Sequence, residues 1–267
     1  MSKRTKRSTK STTQRDDRSD FMQPRHRSTK HSHHNPHEQE YNPDRAVRQI
    51  KRKRVELVPR NLAQERYLKV LDNDDMHIVF AMGPAGTGKT MLATQYAIKA
   101  LQEGLIDKII ITRPAVSVDE DHGFLPGTLI EKMAPWVIPI MDVFKEHYSP
   151  QQIEAMLIDE QIEIAPLAFM RGRTLKNAIV LFDEAQNATP NQMKMMLTRI
   201  GENSKIVVTG DISQHDRGYE QNGLKDVVTR IRDRRPDMIS IVEFGSMDIE
   251  RHPVVEVVLD LYGDDAI

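Results

Sequence analysis

The stretch that decides the fold lies between residues 77 and 101, and its centre reads Gly83-Pro84-Ala85-Gly86-Thr87-Gly88-Lys89-Thr90. It follows an apolar run, residues 77–82, whose lack of polar alternation is typical of a strand buried on both faces. It precedes residues 91–101, which are rich in helix formers and carry apolar residues at helical spacing. The order strand, glycine-rich loop, helix indicates the phosphate-binding pattern G-x-x-x-x-G-K-[ST].

The chemistry of this loop suits a triphosphate. Its glycines accept positive φ angles, so successive backbone N–H groups can point inward at a phosphate, aided by the partial positive charge of the helix N-terminus. Lys89 can reach the β- and γ-phosphates, and the Thr90 hydroxyl can bind Mg²⁺. A chance glycine-rich turn is the alternative, but two fixed glycines alone occur at roughly one position in two hundred. We therefore predict that residues 83–90 bind ATP.

An acidic pair follows a second buried strand. Residues 178–182 are apolar and end at Asp183 and Glu184, the arrangement known as Walker B. At the carboxyl end of such a strand Asp183 can hold Mg²⁺ together with Thr90, and Glu184 can orient or deprotonate the attacking water. A surface acid pair after a strand is common alone, but it is improbable about ninety residues after a phosphate loop.

Two glutamines are further candidates. Residues 204–210 are expected to form another buried strand, which would place Asp211 and Gln214 after it at the carboxyl edge of the sheet. There Gln214 can sense the γ-phosphate, while Asp211 can instead cap a helix. Gln64 lies in a helix that Asn61 is expected to cap, over residues 62–71. Its amide suits the Hoogsteen edge of adenine, although alone it is an ordinary surface glutamine.

Charge divides the chain into two parts. Residues 1–60 carry 17 Lys and Arg against 7 Asp and Glu, whereas the remainder carries 21 against 32. Residues 1–55 contain few aliphatic side chains, which predicts a disordered basic arm before a domain at residues 56–267. The arm either contacts nucleic acid phosphates or serves as a solubilising tail. The chain has no cysteine, no signal-peptide pattern and no apolar run of membrane-spanning length, so we expect a soluble, cytoplasmic protein.

The remaining elements complete an α/β pattern. Strands are expected at residues 108–112, 162–166 and 239–244, and helices at 128–144, 150–160, 223–234 and 254–261. Pro135 and Pro139 should break or kink the first of these helices. The predicted fold is a P-loop NTPase: a single RecA-like domain with a parallel sheet, helices on both faces and a site at the sheet's carboxyl edge.

Beyond the phosphate loop, several ordered motifs between residues 58 and 262 resemble PhoH-like P-loop ATPases. They are Thr112-Arg-Pro114, Gly123-Phe-Leu-Pro-Gly127, Pro166-Leu-Ala-Phe-Met-Arg171-Gly-Arg173-Thr-Leu175, Asp183-Glu-Ala-Gln-Asn187, Gln192-Met-Lys194, Leu197-Thr-Arg199-Ile-Gly201, Gly210-Asp211 with Gln214, Gly223-Leu224 and Arg251-His-Pro253. The family looks like the first RecA-like half of superfamily-one helicases, in which Gln64 matches an adenine-reading glutamine.

The resemblance implies Mg²⁺-dependent ATP hydrolysis coupled to RNA or single-stranded nucleic acid. A slow ATP switch without motor activity and, less favoured, a P-loop kinase are the alternatives. In such helicases a second RecA-like domain supplies arginine fingers, and we expect no second domain of this kind from the sequence. Similarity to RecA-like ATPases therefore implies a homo-oligomeric ring, with six subunits expected, in which a neighbouring subunit supplies the finger. Arg251 is the first choice as finger, and Arg113, Arg171 and Arg173 also match family motifs.

Overall fold

The computed structural model describes residues 54–114, 129–214 and 222–262. The predictions for the basic arm therefore lie almost wholly outside the described residues. The motif at Gly123–Gly127 lies outside them too. Among the helices that the structure describes, none combines the length and the apolar composition needed to cross a membrane.

The described residues form one six-stranded sheet in which every strand pair is parallel. Its strands are β1 (Ile78–Met82), β2 (Lys108–Thr112), β3 (Ile162–Ile164), β4 (Ala178–Phe182), β5 (Lys205–Gly210) and β6 (Ile239–Glu243). The spatial order is β3-β2-β4-β5-β1-β6. Because parallel strands place their carboxyl ends at one edge, the segments that follow β1, β4 and β5 meet there.

Seven helices connect these strands in the described part of the chain. They are α1 (Leu62–Leu71), α2 (Lys89–Gln102), α3 (Leu129–His147), α4 (Pro150–Ile158), α5 (Pro190–Leu197), α6 (Gly223–Arg234) and α7 (Pro253–Tyr262). Short 3-10 turns occupy Leu167–Met170, Ala185–Asn187 and Ser246–Asp248. The caps follow the sequence: Asn61 Oδ1 accepts a hydrogen bond from Gln64 N at 2.9 Å, and Ser149 and Thr189 each close a capping box.

The core has two layers, one on each face of the sheet. In β1, Val79 and Ala81 join the layer beneath α1, α2 and α3, whereas Ile78, Phe80 and Met82 join the layer beneath α5 and α6. This two-sided burial explains why the strands read as continuous apolar runs. Val55 is 5% exposed within the first layer, so the packed body begins no later than this residue.

Pro135 and Pro139 do not break their helix, because α3 continues from Leu129 to His147, and the alternative that they kink it stays a prediction. A proline removes one helical N–H and leaves a carbonyl of the preceding turn without its donor. Pro139 is exposed, so such a carbonyl can be satisfied by water while the apolar side chains of α3 remain packed.

Candidate nucleotide site

The phosphate loop joins β1 to α2 and is shaped by three glycines. Gly83, Gly86 and Gly88 have φ angles of 139°, 84° and 80°. At Gly83 the backbone of a neighbouring strand leaves no room for a side chain, since a Cβ would lie 2.2 Å from Phe244 O. Gly83 N also donates to Gly210 O at 3.2 Å, which ties the start of the loop to the end of β5. The glycines thus meet both steric and conformational needs of the loop.

The Lys89 ammonium group forms hydrogen bonds with atoms of the phosphate loop. Its Nζ donates to Gly83 O at 2.7 Å, to Pro84 O at 2.6 Å and to Thr87 Oγ1 at 3.2 Å. Burial lowers the pKa of Lys89, and the carboxylates of Asp211, Glu184 and Asp183 oppose that effect. A buried cation held by carbonyl oxygens can exchange those weak neutral partners for phosphate oxygens, which are stronger partners.

The Asp183 carboxylate lies directly opposite α2. Asp183 Oδ1 accepts hydrogen bonds from Thr90 Oγ1 at 2.8 Å and from Thr209 Oγ1 at 2.5 Å. The backbone N–H of Asp183 donates to Thr112 O at 3.0 Å, at the end of β2. The two side chains predicted to share a metal, Thr90 and Asp183, are therefore adjacent, and Thr209 fixes the orientation of the carboxylate.

The backbone of Glu184 adopts a conformation that is unusual for a residue other than glycine. Its φ and ψ are 50° and 42°, in the left-handed region, which costs on the order of 1–3 kcal/mol unless the surroundings enforce it. Gln186 supplies part of that enforcement, since its Nε2 donates to Glu184 Oε2 at 2.5 Å. On its other side, Gln186 Oε1 accepts from Asp211 N at 3.1 Å. Gln186, 1% exposed, thus bridges the segments that follow β4 and β5.

The segment after β5 completes the inner wall. Asp211 Oδ1 accepts hydrogen bonds from Ser213 N at 2.9 Å and from the Ser213 hydroxyl at 2.6 Å. Asp211 therefore caps a turn, not the helix that the sequence suggested. Its Oδ2 is buried and has no hydrogen-bond partner among the described residues. A cavity of about 300 Å³ opens between the loop and these side chains. It is lined by Gly83, Ala85, Gly86, Gly88, Lys89, Thr90, Met91, Asp183, Glu184, Gly210, Asp211 and Gln214.

The outer face of the loop is held by two elements from opposite ends of the domain. Gln64 Nε2 donates to Thr87 O at 3.1 Å, and its Oε1 accepts from Arg60 N at 2.8 Å. Glu250 N donates to Gly86 O at 2.9 Å, and Arg251 Nη2 donates to Ala85 O at 3.3 Å. Three consecutive carbonyl groups of the loop are therefore bound from outside.

These contacts locate two of the predicted residues without testing their roles. Gln64 is 1% exposed, and both ends of its amide contact backbone, so adenine reading by Gln64 stays a prediction. Arg251 contacts the loop of its own chain, and its role as a finger for another subunit likewise stays a prediction.

Sequence reasoning missed the bridging role of Gln186, although the residue stands in one of the PhoH-like motifs. The available signal was its position two residues after Glu184, which suffices for contact within a 3-10 turn. It also missed the outer contact from Glu250, which is made by a backbone N–H and leaves no mark on the residue type. Thr209 lies within the strand predicted at residues 204–210, and the sequence did not indicate its contact with Asp183, whose carboxylate it orients in the structure.

Together, the parallel sheet, the loop between β1 and α2 and the acidic pair after β4 define a P-loop nucleotide-binding protein of the RecA-like type. The model of the PhoH-like protein family matches residues 56–263. The chain belongs to this family.

Curated relatives carry the same family name. The chain is similar to a PhoH-like protein of Mycobacterium tuberculosis, with 47% identity over 205 residues, covering 76% of this chain and 57% of that protein. For Protein PhoH of Escherichia coli the identity is 43% over 210 residues, covering 77% and 58%. For a PhoH-like protein of Synechocystis it is 43% over 214 residues, covering 79% and 64%. The chain thus spans between 57% and 64% of the length of these three relatives.

Among solved structures, the chain is similar to the Sulfolobus solfataricus SWI2/SNF2 ATPase core in complex with double-stranded DNA. The identity is 14% and the TM-score 0.36, over 60% of this chain and 34% of that one.

Proposed function

We propose that this protein is a Mg²⁺-dependent ATPase whose turnover is coupled to RNA or single-stranded nucleic acid. The observation that carries the proposal is the placement of Glu184 beside a phosphate loop, in a cavity that also contains Lys89 and Asp183. A nucleotide-binding loop alone is compatible with many functions. A loop combined with a carboxylate able to accept a proton from water favours hydrolysis.

The residues present fit a magnesium ion. Mg²⁺ prefers oxygen ligands, and the Thr90 hydroxyl and the Asp183 carboxylate provide two that lie 2.8 Å apart. These residues would hold the ion directly or through its water shell. When bound, it supplies neutralisation of negative charge on the phosphates.

The chain's own residues account for the other requirements of hydrolysis. The loop's backbone N–H groups and Lys89 bind the phosphates, and Lys89 places its positive charge where charge develops during transfer. Glu184 orients the attacking water and accepts its proton at a carboxylate oxygen. Gln214, which also lines the cavity, would sense whether a γ-phosphate is present.

A matched pair of proteins tests this assignment. Steady-state ATP hydrolysis is measured for the parent and for Glu184→Gln, together with binding of a fluorescent ATP analogue. We expect the amide to preserve ATP binding and to lower kcat by about 10²–10⁴-fold, the usual contribution of a general base. Turnover at the parent rate in Glu184→Gln would refute the role of Glu184.

A slow ATP switch is the second candidate, and one observation favours it. Lys89 is held internally by loop carbonyls, so turnover requires these hydrogen bonds to be exchanged for bonds to phosphate. Measuring ATPase with single- and double-stranded RNA and DNA separates the two candidates. Stimulation by one of them supports the coupled ATPase, whereas binding with unstimulated, very slow turnover supports the switch.

The proposed coupling rests on charge, and the proposed assembly on the phosphoryl-transfer chemistry. The basic residues of the first sixty positions can bind phosphates, whereas the remainder of the chain has a net negative charge, so we expect the basic positions to supply most of the non-specific electrostatic contact. A ring of identical subunits would give each site an arginine from its neighbour, an effect worth about 10³–10⁵ in rate when supplied in trans. We therefore propose a homo-oligomeric ring, with six subunits expected.

A further inference from the structure

One aromatic side chain departs from the pattern of burial in this domain. Phe169, in the 3-10 turn after β3, is 56% exposed, and among the described residues it is the aromatic found in the set of exposed large apolar side chains. The other residues of that set are aliphatic or methionine. Leaving a phenyl ring in water forgoes the burial energy that such rings usually supply, so an exposed one suggests a binding surface.

The backbone that carries Phe169 is firmly held. The side chains of Leu167, Met170 and Leu175 on either side are 2%, 0% and 3% exposed in the core. Two guanidinium groups fasten the following residues: Arg173 forms a bidentate pair with Glu163, and Arg199 Nη1 donates to Arg173 O at 3.1 Å.

These anchors keep the turn in place while one side chain within it stays in water. A ring presented on fixed backbone loses little conformational freedom when it binds a ligand.

A positively charged side chain follows the ring closely in the chain. Arg171 is exposed two residues after Phe169, and within the described part of the chain its guanidinium forms no ion pair. The carboxylate of Glu163, nearby in the same region, is already neutralised by Arg173, which also lowers the pKa of Glu163. An exposed aromatic ring and an exposed guanidinium two residues apart on one turn match the two parts of a nucleotide unit, the base and the phosphate.

The turn is also linked to the nucleotide site through backbone hydrogen bonds. Leu167 N donates to Arg113 O at 3.3 Å, immediately after β2. The preceding residue, Thr112, accepts from Asp183 N at 3.0 Å. The turn and the phosphate loop therefore lie at the same carboxyl edge of the sheet, and β4, which carries Asp183, is the direct neighbour of β2.

We propose that Phe169 and Arg171 form a binding subsite for single-stranded nucleic acid, in which one unpaired base stacks on the phenyl ring and a neighbouring phosphate binds the guanidinium. This proposal rests on the nucleic acid coupling proposed above and assigns it a place. Because every base has a stacking face, the subsite tolerates different sequences, and because a paired base is not free to stack there, it excludes duplexes.

Fluorescence anisotropy of the full chain with a labelled oligoadenylate of about 12 nucleotides provides the test, a length within the range that one small binding domain covers. Phe169→Ala should raise Kd about 5- to 150-fold, the equivalent of ~1–3 kcal/mol, without changing the salt dependence. Phe169→Tyr should restore the parent affinity. Arg171→Gln should instead reduce the log–log salt slope by about 0.7, because one phosphate is no longer neutralised by the protein.

A matched control is Leu105→Ala, which removes a side chain that is 59% exposed in the connection between α2 and β2, at the opposite edge of the sheet. We expect this variant to bind as the parent does. Unchanged affinity in Phe169→Ala, with nucleic acid still stimulating the parent ATPase, would overturn the subsite and leave the proposed function standing. A parent that neither binds nor responds to nucleic acid would overturn both. If Phe169→Ala changes only the oligomeric state in light scattering, the ring belongs to a protein interface, and the subsite is refuted.

Discussion

Replacement of Gln186 by alanine tests the link between the two acidic segments of the site. The substitution removes the acceptor for Asp211 N and the donor to Glu184 Oε2. A buried backbone N–H left without a partner costs ~1–3 kcal/mol. We therefore expect the free energy of unfolding to fall by about 2 kcal/mol, which lowers Tm by about 4–8 °C in a domain of this size.

The larger effect should fall on turnover. Without the amide, the Glu184 carboxylate loses the hydrogen bond that orients it, and the left-handed backbone of Glu184 loses one of its supports. A misalignment of about 1 Å in a catalytic group can cost about 10²-fold in rate. We expect kcat to fall by about that factor while ATP affinity stays near the parent value, because the groups that bind phosphate belong to the loop and to Lys89.

Steady-state ATPase, a fluorescent ATP titration and thermal unfolding measure the three quantities. Gln186→Glu keeps an acceptor for Asp211 N but places a second carboxylate against Glu184, so it should be no more active than the alanine variant. Gln95→Ala, at a half-buried glutamine of α2, is the control and should match the parent. A normal kcat combined with a lowered Tm would show that Gln186 is structural only, and our reasoning on Glu184 would be wrong.

Three further predictions concern charge. Burial lowers the pKa of Lys89 in the nucleotide-free protein, and bound phosphates would raise it, so ATP affinity should fall as pH rises above the free protein's Lys89 pKa. Lys89→Arg should flatten this dependence at pH values below the ordinary lysine pKa of about 10.4, and parallel curves would contradict it. Deleting residues 1–53 spares the buried Val55 and should leave basal ATPase intact. It should lower the log–log slope of nucleic acid affinity against salt by about 0.7 for each phosphate that the arm neutralises, and an unchanged slope would make the arm a solubilising tail. Mixing Lys89→Ala with Arg251→Ala subunits should restore ATPase if Arg251 acts on the site of a neighbouring subunit. An inactive mixture that is shown to exchange subunits would limit the role of Arg251 to its contact with the loop of its own chain.

The sequence predicted the elements of this fold well because the signals were local. The β2 and α1 boundaries agree with the structure at both ends, since a cap at Asn61 and an apolar run at residues 108–112 are properties of neighbouring residues. The continuous α3 was not foreseen because the cost of a proline depends on whether its freed carbonyl meets water, and that is a property of the packed domain.

In the nucleotide site, too, the features encoded by local motifs were predicted and the contacts between distant residues were not. Lys89, Thr90 and Asp183 were predicted because each belongs to a motif whose spacing encodes its chemistry. The contacts of Gln64 with Thr87 and of Glu250 with Gly86 join residues far apart in the chain, and the second involves only backbone atoms. The residue types at these positions do not indicate such contacts, so a single sequence without its fold does not predict them.

The position of β1 in the sheet has a consequence for biosynthesis. Among the strands that the structure describes, β1 is the first to leave the ribosome, yet its two hydrogen-bonded neighbours, β5 and β6, begin at Lys205 and Ile239. At about 5–20 residues per second, β1 waits roughly 8–30 s for its second neighbour. During that time an apolar strand with two open edges is exposed to other nascent chains. ATP cannot protect it earlier, because Gly83 finds its partner Gly210 only once β5 has been made. Nascent chains stalled before residue 205 should therefore depend on chaperones, however much nucleotide is present.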